Sequence, residues 1–304
     1  MDKVEENDHY GDTVISTNEN IKIINCNKCN YFHQYPLPDE NERKRYYQDK
    51  YFQEIKADYF EKEKKDLKYN VSRYSEKEEI LRKNLNSETL SILDIGAGSG
   101  FFLNYFYEKG WEAYGVEPNK VICELAEKEF NIDMFCGTIN DFMHVNDRKF
   151  SAVHLSYVLE HLVNPSELLN ELHRNILSSR GLICVEVPND FNPLQEIVYS
   201  KIQKPWWIAK DHINYFNLTS LKGLLIKCGF DIIESSVTFP MEFFILMGDD
   251  YVSNPDIGNE SHIRRVKFEL NLKNYNKSLK SKLYESFKDL GIGRSIIIYG
   301  RKNI

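Results

Sequence analysis

Three sets of residues in this chain have the types and spacings that can do chemistry. The first is Gly96, Gly98 and Gly100, which follow the apolar run Ser91-Ile-Leu-Asp-Ile95 and precede Phe101-Phe-Leu103. A short buried strand entering such a loop and leaving it as a helix lets the backbone turn sharply and approach a ligand where a Cβ would collide. The helix start behind it offers unpaired N–H groups to an anion. A dinucleotide fingerprint places its third glycine three residues after the second, where this chain has Phe101, so a pyrophosphate is disfavoured. Glu117, 23 residues after Asp94, ends a second short strand, Tyr114-Gly-Val-Glu117. A carboxylate there can accept both hydrogen bonds of a ribose diol. The second set is Tyr157, Glu160 and His161, just past the apolar strand Phe150–Ser156, and the third is Asp211-His212. An imidazole with its ordinary pKa near 6.5 suits proton removal at neutral pH, and an adjacent acid orients it and raises its basicity. His161 and His212 are thus rival candidates for a general base, with Glu160 and Asp211 as their partners. The Glu160–His161 pair also reads as a structural dyad that fixes its loop.

Leu93-Asp-Ile-Gly-Ala-Gly-Ser-Gly100, followed by Tyr114-Gly-Val-Glu-Pro118, resembles the first two motifs of the class I S-adenosylmethionine (SAM)-dependent methyltransferases. The resemblance implies SAM as cofactor and S-adenosylhomocysteine as product. It makes Asp94, Gly96, Ala97, Gly98, Gly100, Glu117 and Pro118 cofactor contacts, with Leu155 and Ser156 at the end of the fourth strand. Gly137-Thr-Ile-Asn-Asp-Phe142 stands where this class touches adenine, so Asp141 is expected to accept from the N6 amine while Ile139, Asn140 or Phe142 lines the ring. Asp141 reads equally as a helix-capping or turn acid. Val158-Leu-Glu-His161 and Asp211-His-Ile-Asn-Tyr-Phe216 resemble stretches of the sugar-type and small-molecule enzymes. Some of those relatives hold a divalent metal through an additional acid three residues before the Glu; here that residue is Tyr157, and metal-assisted transfer is not expected.

Ile21-Lys-Ile-Ile-Asn-Cys-Asn-Lys-Cys29 is a strand followed by C-x-x-C, half of a zinc knuckle. A structural zinc site needs four ligands, and Cys26 and Cys29 have only His9 and His33 nearby. In the sugar-type enzymes that this region resembles, an earlier C-x-x-C precedes this one. Here it is missing, which implies a ribbon that has lost half its ligands. Two thiolates and one uncertain imidazole close no tetrahedron, so the expectation is a hairpin with ordinary thiols and no zinc.

The elements that must position these groups alternate along the chain. Helices are expected at Glu76–Asn86, Phe101–Lys109 with Gly110 as its stop, Asn119–Phe130 with Pro118 at its start, Ser166–Leu177 and Leu218–Cys228. Strands are expected at Ser91–Ile95, Glu112–Val116, Ile132–Phe135, Phe150–Ser156, Leu182–Val187, Phe230–Val237 and Gly293–Gly300. This is an α/β pattern, which predicts a Rossmann-like, mostly parallel seven-stranded sheet with helices on both faces. The chain divides into an amino-terminal part, 1–74, and a SAM-binding domain, 75–304. Residues 1–20 read as a loose polar arm. The charged, aromatic stretch 39–86, with Tyr46, Tyr47, Tyr51, Phe52, Tyr59 and Phe60, reads as an amphipathic helix that packs on the domain or forms a lid over the cofactor. Residues 239–290 read as an insertion before the last strand, with a polar loop through Asn259 and one basic amphipathic helix to Phe287. By resemblance, that insertion builds an acceptor pocket or a dimer surface.

Composition narrows the partners. With 304 residues and a net charge of −7, the chain lacks the basic excess that neutralises a phosphate backbone, so no nucleic-acid partner is expected. No run reaches the ~18 apolar residues of a membrane span, and the acidic start has no signal-type apolar region. Six cysteines, four of them in apolar segments, read as reduced thiols, and the chain as cytoplasmic, a monomer or homodimer. The resemblance leans towards a small-molecule acceptor, a sugar or sugar nucleotide in polysaccharide or secondary-metabolite synthesis. A phenolic or quinone-like acceptor is the alternative within that class. A non-catalytic protein that kept the cofactor fold, and a nucleotide-dependent oxidoreductase that binds NAD, are the readings of other classes.

Overall fold

The computed structural model describes residues 9–16, 21–39, 59–86, 89–132 and 134–304. Among these, the central element is a seven-stranded sheet with β4 (Ser91–Ile95) and β7 (Phe150–Ser156) at its middle. β5 (Glu112–Glu117) and β6 (Met134–Cys136) extend it on one side; β8 (Leu177–Pro188), β11 (Ser295–Lys302) and β10 (Phe230–Val237) extend it on the other. Pairings from β6 through β8 are parallel, and β11 runs antiparallel between β8 and β10. β4 is buried along its whole length, as a strand covered on both faces must be. The expected doubly covered α/β sheet is therefore present.

Helices α1 (Tyr59–Lys65) and α2 (Leu67–Asn84) precede the sheet. α2 begins nine residues before the expected Glu76, so the 74/75 boundary falls inside it. Its buried face includes Tyr69, Lys77 and Leu81, and a cation on the inner face hides the apolar periodicity. Of the aromatic stretch, Tyr46, Tyr47, Tyr51 and Phe52 lie outside the described residues. The helices α3 (Phe101–Glu108), α4 (Lys120–Phe130) and α5 (Ile139–Val145) follow β4, β5 and β6. After β7 comes a single 3-10 turn, Leu159–His161, and α6 (Pro165–Glu171), which loosens into a π turn, Leu172–Ile176, before β8. β8 thus starts five residues earlier than expected.

Along the chain, α7 (Pro193–Ile202) and α8 (Leu218–Lys227) stand either side of the last strand of a second, antiparallel sheet of order β1-β2-β3-β9. It is built from β1 (Gly11–Ser16), β2 (Lys22–Cys26), β3 (Tyr31–Tyr35) and the two-residue β9 (Asn214–Tyr215). The amino-terminal hairpin therefore pairs with a segment almost two hundred residues downstream.

The insertion contains α9 (Glu242–Leu246) and two long helices, α10 (Pro255–Tyr275) and α11 (Lys277–Asp289), where one was expected. Asn276 separates them in extended conformation, and its side chain caps α11 by accepting from Leu279 N–H. The basic face of this insertion lies on α2. Lys273 and Lys280 both reach Glu76, Lys277 reaches Glu79, and Tyr69 donates to Glu269.

Candidate active site

At the end of β4 the chain turns through Gly96, Gly98 and Gly100, all left-handed at φ 72°, 53° and 81°. A Cβ on Gly96 would stand 2.9 Å from Val158 Cγ2, and one on Gly100 would stand 3.1 Å from Ala126 Cβ. Conformation and crowding together demand glycine at both positions. The loop's N–H groups are largely spent within the protein. Gly96 and Ala97 donate to the Val116 carbonyl, Gly100 donates to Ala97, and Gly98 donates to Glu117 Oε2 at 3.0 Å. The loop thus offers close approach more than free donors.

Glu117 is buried at the tip of β5, where its other oxygen, Oε1, accepts from Asn119 N–H at 2.9 Å. Each carboxylate oxygen keeps a second lone pair. Burial pushes this carboxyl up to about 7, with the two backbone donors pulling the other way. Pro118 is half-buried between Glu117 and Asn119, and Asn119 rather than Pro118 forms the cap of α4. Leu155 is fully buried in the core, and Ser156 is half-buried at the end of β7.

Asp141 stands at the third residue of α5, where its Oδ2 accepts from the Thr138 N–H and hydroxyl while Thr138 Oγ1 accepts from Asp141 N–H. That reciprocal capping box is the second of the two sequence readings. Asn140 is exposed and lines a groove between α5 and α6.

Asp94 takes part in a buried relay. Lys77 of α2 lies 2.7 Å from His154 Nε2 and 2.8 Å from Glu186 Oε2, and Arg73, one turn earlier, also pairs with Glu186. The ammonium donates to Nε2, so His154 carries its proton on Nδ1 and donates it to Asp94 Oδ1 at 2.7 Å. Burial, with Lys77 adding to it, holds the His154 imidazole well below its ordinary value. Burial raises the Glu186 carboxyl, but Arg73 and Lys77 outweigh it and leave it at about 2. Sequence reasoning missed Glu186, Arg73 and Lys77. The signal was there: an acid inside the apolar run Ile183-Cys-Val-Glu-Val187 needs buried cations.

The two histidines read as rivals stand together. The 3-10 turn carries Glu160 and His161, β9 is preceded by Asp211 and His212, and the imidazole centroids are 4.9 Å apart. The Asp211 carbonyl accepts from His161 Nδ1–H at 3.0 Å, and the Asp211 carboxylate is 3.9 Å from the same nitrogen. Asp211, next to His212 in sequence, thus also holds His161. Glu160 is fully buried with its Oε1 4.0 Å from His161 Nε2. Burial, reinforced by the acids Asp190, Asp211 and Glu186, pushes the Glu160 carboxyl well above its ordinary value. Neither Glu160 oxygen has a hydrogen-bond partner among the described residues, nor do Asp190 Oδ2 and Glu242 Oε2. Donor atoms of Glu160, His161 and His212 lie within 4.8 Å of one another. Tyr157, just past β7, holds a left-handed φ of 58°, and its hydroxyl bonds Ser295 Oγ at 2.8 Å and donates to Glu186 at 3.3 Å. Such a backbone strain on a bulky residue at a strand end is a mark of a site.

The two clusters adjoin. β4, β7 and β8 are neighbours, so the glycine loop, the Tyr157–His161 turn and Asn189-Asp190 leave the same edge of the sheet, and Val158 abuts Gly96. In open α/β sheets that edge is where ligands bind. α1 lies against the loop: the Ser99 hydroxyl donates to Glu63, and the Phe60 and Phe101 rings are 5.3 Å apart.

Residues 44–235 match the methyltransferase domain family, and the chain belongs to it. No curated protein matches the sequence. Among solved structures the chain is similar to a SAM-dependent methyltransferase from Archaeoglobus fulgidus, at 19% identity over 78% of this chain and 97% of that one, with a TM-score of 0.50. It is similar also to the plantazolicin methyltransferase BpumL, solved with a pentazolic desmethylPZN analog and SAH, at 17% identity, 86% and 95% coverage and a TM-score of 0.54. A methyltransferase solved in complex with the Haloferax volcanii Trm112 methyltransferase activator gives 14% identity, 85% and 98% coverage and 0.53. At these identities the likeness is one of fold. The chain is a SAM-dependent methyltransferase with a Rossmann-like sheet. Its residues fit the cofactor: a cradle that a Cβ would fill, beside a carboxylate with spare lone pairs. No helix among the described residues is long and apolar enough to cross a membrane.

Proposed function

We propose that the acceptor is a polyhydroxylated small molecule, a sugar or sugar nucleotide of polysaccharide or secondary-metabolite synthesis. It would bind at the ends of β7 and β8 and be methylated on a hydroxyl oxygen or carbon. The observation that carries this reading is the set of buried, unpartnered acid oxygens on Glu160, which stands beside His161, and on Asp190 and Glu242. Hydroxyl groups are the donors such oxygens lack, and a buried acceptor left unpaired costs ~1–3 kcal/mol. An apolar acceptor would leave that cost in place.

When bound, SAM supplies a methyl group on a positively charged sulfur. The protein's share is alignment, exclusion of water and removal of one proton. Gly96, Gly98 and Gly100 admit the cofactor closely, Glu117 accepts from its ribose hydroxyls, and α1 with Phe60 covers the loop. His161 takes the proton on Nε2, because its Nδ1–H is committed to the Asp211 carbonyl. Glu160, whose carboxyl burial pushes well above its ordinary value, shapes the acceptor site. A phenolic acceptor is favoured by one feature, the aromatic wall beside His212, in which Trp207 stands 5.7 Å from Phe191 and 4.9 Å from Trp206.

The test is incubation with deuteromethyl-labelled SAM and parallel panels of nucleotide sugars and phenols, read by mass spectrometry. Label in a sugar fragment supports the reading; label confined to phenols removes it.

A further inference from the structure

We propose that His9, Cys26, Cys29 and His33 bind one zinc ion, and that this ion braces the amino-terminal hairpin, whose β3 pairs with β9 beside His161 and His212. The four residues come from three places: the segment before β1, the knuckle formed by the end of β2 and the turn after it, and β3 itself. Their ligand atoms nonetheless lie within 4.8 Å of one another. Two of the four are side chains of residues only 1% exposed, Cys26 and His33.

The distances are those of a tetrahedron. With metal–ligand lengths of ~2.3 Å to sulfur and ~2.05 Å to nitrogen, tetrahedral edges are about 3.3 Å between nitrogens and about 3.6 Å between nitrogen and sulfur. Here His9 Nδ1 is 3.0 Å from His33 Nε2, 3.3 Å from Cys29 Sγ and 3.6 Å from Cys26 Sγ. One ring nitrogen with three such neighbours is poorly explained by hydrogen bonding, since it has one proton or one lone pair to share.

Orientation agrees with distance. His33 Nδ1–H donates to the Gln34 carbonyl at 2.8 Å, which leaves the lone pair on Nε2, the atom that faces the cluster. A metal-binding imidazole is fixed this way by its second nitrogen. The knuckle is closed by Asn30 N–H, which donates to the Cys26 carbonyl at 2.8 Å, with Asn30 left-handed at φ 61°. Two thiolates and two neutral imidazoles in tetrahedral array select zinc, and the assembled centre is uncharged, as suits a buried place. On binding, each cysteine gives its thiol proton to solvent.

The consequence reaches the active site through the backbone. His33 pairs with Asn214 across β3 and β9, and Gln34 N–H donates to the Ile213 carbonyl at 2.7 Å. Ile213 N–H in turn donates to the Glu160 carbonyl at 2.7 Å, and the Asn214 amide donates to the carbonyls of Leu159 and Leu162. A ligand residue is thus two hydrogen bonds from the Glu160–His161 turn.

The full chain, purified without chelator, is expected to hold one zinc per chain by elemental analysis. The Cys26→Ser/Cys29→Ser variant is expected to lose it. Chelation of the wild type should lower its melting temperature and speed amide exchange in β3 and β9, and added zinc should restore both. The wild type loaded with cobalt(II) gives a second readout that does not depend on the variant's folding: thiolate-to-cobalt charge transfer with tetrahedral d–d bands. Folded protein that takes up no zinc after dialysis against it would overturn the proposal. So would zinc retained by the double serine variant, which would place it on Glu160, His161 and His212, or bound cobalt without the thiolate band.

Discussion

An imidazole whose Nδ1–H already serves a carbonyl can take a proton only on Nε2, and in His161 that atom stands 4.0 Å from Oε1 of Glu160, whose carboxyl burial pushes well above its ordinary value. His161→Ala is expected to lower kcat ~10²-fold or more with little change in SAM affinity, and His212→Ala to cost less. Single-turnover rates with saturating cofactor check this, and equal losses in the two variants would remove His161 from the role. Glu117 makes a separate prediction. Its carboxyl, raised by burial to about 7, ionises within the neutral range, and the ionised form accepts more strongly from a ribose diol. SAM should therefore bind more tightly as pH rises through 7. Titration calorimetry across that range should show the trend in the wild type and a flat, weaker profile in Glu117→Gln.

The elements that place these groups were legible to different degrees. The β4 loop, β5, β7 and the end of β8 could be read because each is a short apolar run with a turn residue or an acid at its end. The approach of Asp211 to His161 could not, because contacts between distant segments leave no local period; for Cys26 and Cys29 the two nearby histidines could be named from sequence, but not that all four converge. α2 was misread for another reason. It turns Arg73 and Lys77 inward onto Glu186 of β8, so its buried face carries charge. That arrangement makes α2 an anchor of the sheet as well as a cover for it. Lys77→Met is expected to destabilise the chain by ~3 kcal/mol, because it leaves Glu186 half-compensated and removes the donor that fixes the His154 tautomer. Chemical denaturation with an unchanged m-value would check it. A loss below ~1 kcal/mol would mean that Arg73 alone neutralises Glu186.

Across the whole molecule, the buried acids divide into two groups whose pH effects oppose one another. Burial raises Asp94 to about 8, Glu117 to about 7, and Glu160, Asp190 and Glu242 as well. Paired cations overcome burial in the other group and lower Glu186 to about 2 and Glu76 below its ordinary value. For a raised acid, the folded chain binds more protons than the unfolded one between the ordinary and the raised value, so stability is lost as pH climbs through that window. For a lowered acid the folded chain binds fewer, and stability is lost as pH falls from the ordinary value towards the lowered one. His154, held neutral, adds to the acid-side loss below about 6.5. The raised acids outnumber these groups, and Glu117 and Glu160 among them line the proposed cofactor and acceptor sites. The cofactor-free chain should therefore be most stable on the acid side of neutrality and lose melting temperature steadily from about pH 6 to about pH 8. A bound cofactor brings positive charge and hydroxyl donors to those acids, so its stabilising effect should grow over the same interval. Thermal melts with and without SAM across that range would show the two curves diverging. Parallel curves would mean that the buried carboxyls do not ionise within the window, and that their protons stay in place when the ligands bind.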